Sequence, residues 1–313
     1  MTSTAIAVEG VVRDFATGRG VLRALDGIDL AVATGETLGV VGESGCGKST
    51  LIRIMLRLIP PTAGRVRLLG EDVTDLPESE LRSRRRHLQA VFQDPVSSLN
   101  PRLTVRDIVA EPLRRLCVGR TAMWDRVREV LLLVGLPTDA GGRYPHAFSG
   151  GQRQRIAIAR ALAAEPRVLI CDEATSALDV SVQAQILNLL ADLQQRLDLA
   201  VMFVSHNLGV VRHVSHRVAV MYLGRIVELG SEAAIFGRPA HPYTKALVAA
   251  VPDPMMEGSP EPPLRGEVPS PLDRPSGCHF HPRCPLASDR CREEAPILMP
   301  FADQHAVRCF HPG

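Results

Sequence analysis

One stretch restricts this chain more than any other. Gly42-Glu43-Ser44-Gly45-Cys46-Gly47-Lys48-Ser49-Thr50 fits the pattern G-x-x-x-x-G-K-[ST]. The apolar run Leu38 to Val41 precedes it, and the apolar-periodic segment Leu51 to Leu58 follows. That order reads as strand, glycine-rich turn and helix. Gly42, Gly45 and Gly47 allow backbone N–H groups to turn inward on phosphates, Lys48 reaches the outer phosphates, and the Ser49 hydroxyl can ligate Mg²⁺ beside the helix N-terminus. The stretch therefore predicts a nucleoside triphosphate site at the end of a buried strand, and with it an α/β fold.

Composition narrows the setting. The chain has 313 residues, 45% of them apolar, and a formal net charge of +2. That apolar fraction supports a proper core and excludes disorder throughout, while near-neutrality argues against nucleic-acid binding by bulk charge. No apolar run approaches the roughly 18 residues of a membrane span. The N-terminus shows no basic region followed by an apolar core, so a cytosolic location is expected. Strand and helix signals alternate from residue 1 to about 235, which predicts a largely parallel sheet. Strand signals fade between Pro95 and Gly150, and Met123, Val127, Val130, Leu131 and Val134 share one helix face. A mostly helical subdomain is expected at about 95–155. Composition breaks near Pro239, and the Pro-rich stretches Val251 to Pro263 and Glu267 to Pro275 read as an extended linker. The expected division is 1–235 and 236–313.

Two further motifs bear on chemistry. Arg167-Val168-Leu169-Ile170-Cys171-Asp172-Glu173 places two carboxylates at the end of a buried strand, where open α/β sheets put their ligand crevice. Asp172 would hold Mg²⁺ through water and Glu173 would polarise an attacking water, because phosphoryl transfer asks a protein chiefly for positioning and charge neutralisation. Ser149-Gly150-Gly151-Gln152-Arg153-Gln154-Arg155 opens a helix with Ile156, Ala157, Ala159 and Leu162. A Ser hydroxyl, glycine backbone and a helix N-terminus make a second anion site.

With these motifs in this order the chain resembles ABC-type ATPases, whose LSGGQ signature stands here as Phe148-Ser149-Gly150-Gly151-Gln152. The resemblance implies a P-loop ABC ATPase domain with a parallel-sheet core, a helical subdomain and a Cys-rich C-terminal extension. It implies ATP and Mg²⁺, and a signature site (Ser149, Gly151, Gln152) that caps the ATP of an opposing subunit in a head-to-tail dimer. Gln93 is similar to the family's Q-loop glutamine, expected to sense Mg²⁺ and the attacking water. Ser176-Ala177-Leu178-Asp179 resembles the loop that crosses the dimer interface, and His206 the switch histidine at the γ-phosphate. Asn207 follows it where relatives usually have Asp. Phe15 is the candidate for stacking on adenine, with a plain core role as the alternative.

Other stretches resemble the oligopeptide/dipeptide import subfamily. They are Phe92-Gln93-Asp94-Pro95-Val96-Ser97-Ser98-Leu99-Asn100-Pro101-Arg102, His241-Pro242-Tyr243-Thr244-Lys245-Ala246-Leu247, Gly266-Glu267-Val268-Pro269-Ser270-Pro271 and the Cys-rich end. The resemblance implies two membrane permease subunits, a second homologous ATPase subunit, an extracytoplasmic peptide-binding protein, and a place on the cytoplasmic face of the membrane. Importers of nickel or other solutes share these features. A soluble, non-transport ABC ATPase is the competing class, but the chain has one cassette and no sustained heptads.

Two clusters remain. The basic group Arg82, Arg84, Arg85, Arg86 and His87 is diluted by Glu78 and Glu80 and reads as a solvated face or a membrane-partner contact, with no nucleic-acid partner expected. Cys278, Cys284, Cys291 and Cys309 crowd into a segment too short for its own core, which invites a metal staple. The absence of any C-x-x-C pair favours a 4Fe-4S cluster over zinc with His participation. Reduced free thiols are the third reading.

Overall fold

The computed structural model describes residues 3–18, 20–250 and 266–313. The first Pro-rich stretch, Val251 to Pro263, lies outside them. In chain order the strands are β1 (Thr4–Thr17), β2 (Gly20–Ala33), β3 (Thr37–Val41), β4 (Ala63–Leu68), β5 (Glu71–Asp72), β6 (Leu88–Val91), β7 (Val168–Asp172), β8 (Ala200–Val204), β9 (Arg217–Tyr222), β10 (Arg225–Ser231), β11 (Met299–Ala302) and β12 (His305–Val307). The chain forms two compact units. The first comprises Met1–Ile6, Val32–Glu36 and Arg67–Phe203; the second comprises Ala7–Ala31, Thr37–Val66 and Val204–Gly313.

In the first unit the strand order is β8, β7, β6. β6 and β7 run parallel, Leu88 opposite Val168 through Val91 opposite Cys171. Val168 to Cys171 are buried throughout, the continuous apolar run of a strand covered on both faces. Between residues 95 and 163 there are only helices and turns. On the helix Arg120–Leu133 the buried positions are Met123, Val127, Val130 and Leu131, the face that apolar spacing marks out.

In the second unit the order is β11, β12, β10, β9, β3. β3 pairs parallel with β9, but β9 with β10, β10 with β12 and β11 with β12 are antiparallel. The sheet is therefore mixed, which corrects the expectation of a largely parallel one. The reason is local. Leu223 and Gly224 both have positive φ, 41° and 76°, so the chain reverses in a two-residue hairpin turn after β9 instead of crossing over through a helix. The tail strands β11 and β12 then extend that antiparallel edge. The second Pro-rich stretch, Glu267 to Pro275, forms no regular element. It is tied down by Arg274, whose guanidinium donates to Asp26 Oδ2 at 3.1 Å and to the Arg23 carbonyl.

Candidate functional site: a phosphate loop and a signature helix

The phosphate loop belongs to the second unit. β3 is wholly buried and ends at Val41, and the chain then turns through Gly42, Gly45 and Gly47 at φ of 154°, 78° and 112°. A Cβ on Gly42 would lie 2.3 Å from the Met221 carbonyl oxygen, and one on Gly47 would lie 2.7 Å from that of Ala24. At Gly45 nothing stands within 4 Å, so there the need is conformational and the open side is left for a ligand. The helix Lys48–Met55 begins without any side-chain cap. Its first amides are thereby available to an anion.

Lys48 is buried, and its Nζ donates to the carbonyls of Gly42 at 2.6 Å and Glu43 at 3.0 Å, with Cys46 Sγ at 3.7 Å. Ser44 and Ser49 are exposed and Thr50 is half-buried. Burial pushes the Cys46 thiol up, so it is an inert packing group under the loop. The loop is also gripped from afar. The Gly224 N–H donates to the Cys46 carbonyl at 2.8 Å, the Glu43 N–H donates to Tyr243 Oη at 2.9 Å, and Arg283 donates twice to the Glu43 carboxylate, at 2.7 and 3.0 Å.

Two other expected residues lie in this unit. His206 is exposed directly after β8. Asn207 caps the helix Leu208–Val214, its Oδ1 accepting from Val210 N at 3.3 Å while its own N–H donates to Ser205 Oγ at 3.0 Å. An amide oxygen fills the capping role as an Asp would, so the departure from the family pattern leaves this turn intact. Phe15 is half-buried on β1, and the Arg13 guanidinium lies 4.5 Å over one face of its ring.

The first unit carries the remaining motifs. Asp172 and Glu173 are half-buried at the end of β7. Glu173 has φ of 48°, a left-handed conformation costing a side-chain-bearing residue about 1 kcal/mol or more. Its carbonyl accepts from Ser176 N at 3.1 Å and Ser176 Oγ at 3.0 Å, which closes a tight turn and fixes where the side chain begins. Asp179 caps the helix Val180–Leu197, accepting from Val182 N at 2.9 Å and Ser181 Oγ at 2.7 Å. Those bonds to the charged form hold its carboxyl below the usual range. Gln93 is exposed just beyond β6. Cys171 is fully buried and its thiol is pushed up to about 12 by burial.

Ser149 caps the helix Gly150–Ala163 reciprocally with Gln152: Gln152 N donates to Ser149 Oγ at 3.3 Å, and Ser149 N donates to Gln152 Oε1 at 3.0 Å. This capping box leaves the Ser149 hydroxyl proton available to a further acceptor. Ser149, Gly150 and Gln152 are exposed, whereas Phe148 and Gly151 are buried. A Cβ on Gly151 would stand 2.3 Å from Val182 Cγ1. Gly151 thus serves close approach of two helices.

The tail corrects a further expectation. Burial raises the thiols of Cys278 and Cys284 and takes Cys309 up to about 11, and neighbouring thiols add to each, so the sulfurs share one neighbourhood. Among the described residues, however, no group of three or more His, Cys, Asp or Glu side chains is arranged to hold a metal ion. The iron–sulfur centre expected on Cys278, Cys284, Cys291 and Cys309 therefore finds no support. The premise of a segment lacking a core fails because the tail uses the core of its own unit. Phe280 is fully buried against Tyr222, Tyr243 and His241, with ring centroids 5.3, 5.5 and 5.5 Å away. Glu228, also fully buried, accepts from Ala240 N at 2.7 Å and His241 N at 2.9 Å and pairs with His305 Nε2 at 2.7 Å.

Sequence reasoning missed Glu43 as a contact residue, together with Tyr243, Arg283 and Glu228. Their partners lie too far away along the chain for any local pattern to register.

Comparison with known proteins places these features in a family. Residues 25–176 match the family described as "ABC transporter", and residues 227–291 match "Oligopeptide/dipeptide transporter, C-terminal region". The chain is 57% identical to the "Probable peptide ABC transporter ATP-binding protein y4tS" of Sinorhizobium fredii, over 94% of this chain and 84% of that one. The chain belongs to the ABC transporter family. It is also 51% identical to the "Oligopeptide transport ATP-binding protein OppF" of Salmonella typhimurium, over 92% of this chain and 87% of that one. Among solved structures it is similar to the ABC transporter cassette MJ0796 in a post-hydrolysis dimer bound to ADP and Pi, with a TM-score of 0.66 and 31% identity over 72% of this chain and 98% of that one. A member of this family is an ATPase that takes ATP with Mg²⁺. Among the described residues no helix is long and apolar enough to cross a membrane.

Proposed function

We propose that this chain is the ATP-hydrolysing subunit that powers uptake of oligopeptides or dipeptides through separate membrane subunits. One observation carries the reading: the ATPase motifs and the oligopeptide/dipeptide-type C-terminal region occur in a single chain, as in relatives named for peptide transport. Transport then runs through two permease subunits, fed by an extracytoplasmic peptide-binding protein, with a second homologous ATPase subunit completing the pair. The chain sits peripherally on the cytoplasmic face. The proposed division is an ATPase part over 1–235, with its helical subdomain at about 95–155, and an extension over 236–313.

The roles follow the motifs. Gly42 to Thr50 cradle the phosphates, with Lys48 on the outer ones and Phe15 toward the base. Ser49, Gln93 and Asp172 are the residues that would hold Mg²⁺, which when bound supplies charge against the phosphate oxygens. Glu173 orients and polarises the attacking water, and His206 reads the γ-phosphate. Ser149, Gly151, Gln152 and Asp179 face the nucleotide of the opposing subunit. The exposure of Ser149, Gln152 and Asp179 at helix N-termini suits that use, with Gly151 buried beneath them.

The test is uptake of a radiolabelled tripeptide by cells carrying a Lys48→Ala chain, together with co-purification from membranes. Loss of uptake with permease subunits still attached to a tagged chain is expected. Undiminished uptake, or a chain that copurifies with ribosomes or DNA instead, would overturn the proposal.

A further inference from the structure

Glu43 is a variable position of the phosphate-loop pattern, yet three of its groups are engaged. Its N–H donates to Tyr243 Oη at 2.9 Å, and its carboxylate takes both Arg283 nitrogens at 2.7 and 3.0 Å. Its carbonyl accepts Lys48 Nζ at 3.0 Å. The first two contacts come from the C-terminal part of the chain, and the third is to the lysine that serves the phosphates. One residue therefore joins the tail to the nucleotide cation.

Neither residue of this clamp is loosely held. Arg283 has a side chain only 4% exposed, its guanidinium lies 5.9 and 6.0 Å from the ring centroids of Tyr222 and Phe280, and its N–H closes the turn onto the Phe280 carbonyl at 3.0 Å. Tyr243 stands in the first turn of the helix Pro242–Ala249, where its N–H donates to His241 Nδ1 at 3.0 Å, and buried Glu228 fixes His241 in turn. A two-pronged guanidinium fixes orientation as well as distance. Burying such a pair contributes little to net stability, because desolvation offsets the attraction. Its effect is geometric: it sets where the Glu43 carbonyl points, and so where Lys48 rests.

We propose that the C-terminal tail holds the phosphate loop in its nucleotide-binding shape, with Arg283 and Tyr243 as positioning residues for ATP. The proposal rests on the reading of Gly42 to Thr50 as the ATP site. Pre-setting the loop removes an ordering cost from binding, so the clamp acts on affinity more than on turnover.

The experiment measures MgATP binding by calorimetry on the purified full chain, and steady-state hydrolysis by the assembled transporter. Arg283→Ala is expected to weaken MgATP binding about 10-fold and to raise KM in step, with kcat within about 2-fold. Arg283→Lys should recover part of the loss, since a single ammonium replaces one prong. Tyr243→Phe, which removes only the acceptor of the Glu43 N–H, should weaken binding about 3-fold. The double variant Glu43→Ala with Arg283→Ala should bind no more weakly than Arg283→Ala alone. Should Arg283→Ala fail to fold, Arg283→Lys and Tyr243→Phe decide. Folded variants that keep parental affinity, or that lose kcat at unchanged KM, overturn the clamp while leaving the ATP site standing. An unmodified chain that does not bind MgATP overturns the ATP site, and the clamp with it.

Discussion

The phosphate loop and the signature helix are both glycine-bearing turns at helix N-termini, yet they are built in opposite ways. The phosphate loop is assembled from distant chain: Ala24, Met221, Gly224, Tyr243 and Arg283 all bear on it, and its helix has no side-chain cap. The signature turn is assembled from itself, Ser149 and Gln152 capping one another in the open. Gly151 beneath them is pressed by Val182 of the next helix. A loop that must present a fixed cradle needs walls from elsewhere in the fold. A turn that stands in the open needs only a stable helix start and a clear outer face.

The largest test of this contrast separates binding from turnover. Glu173→Gln should leave MgATP binding intact and slow hydrolysis about 10²- to 10³-fold, read by single-turnover assay. Lys48→Ala should instead abolish binding. Next comes the difference between walled and open glycines. Gly47→Ala forces a Cβ against the Ala24 carbonyl at positive φ and should destabilise the protein by about 2–4 kcal/mol, whereas Gly45→Ala meets no atom and should cost about 1 kcal/mol. Equal losses in denaturant titrations would break the contrast. Gly151→Ala should cost about 1–3 kcal/mol and be relieved by Val182→Ala, because one methyl group makes the clash.

Acid should act on the walls of the phosphate loop before it acts on the signature turn. Burial holds His241 neutral, its pKa lowered to about 3. The unfolded chain binds that proton near pH 6.5, so stability is complete above that pH and falls as pH drops toward 3, by about 1.4 kcal/mol per unit. Thermal melts between pH 7 and 5 should show the decline. His241→Asn, which keeps an acceptor for the Tyr243 N–H, should make it shallower, leaving the share of His279, whose pKa burial lowers to about 4. The smallest effect is expected for Ser149→Ala, about 1 kcal/mol from loss of the cap.

Much of this was legible beforehand, for identifiable reasons. β3, β7 and β8 are continuous apolar runs, and their ends carry Gly42, Asp172 and His206 where sequence reasoning expects them. Periodicity likewise marks the buried face of Arg120–Leu133. The antiparallel edge was not legible, because a two-residue reversal at Leu223 and Gly224 has no strong local signature. Nor was the tail's manner of folding. Four cysteines in a short segment suggested a staple, while Phe280 and Arg283, which do the packing, look ordinary in sequence.

By itself the sequence determined the chemical outline: a phosphate-loop pattern, two carboxylates at the end of a strand, and the motifs of the family to which the chain belongs. Those features are local, since a glycine pattern, a strand end and a helix cap each depend on a few consecutive residues. Only the tertiary structure decided what holds the phosphate loop in place. The Glu43–Arg283 pair joins positions 240 residues apart, and no short-range propensity encodes such a contact; it exists because β9, β10 and the buried Tyr222, Tyr243 and Phe280 bring the tail to the loop.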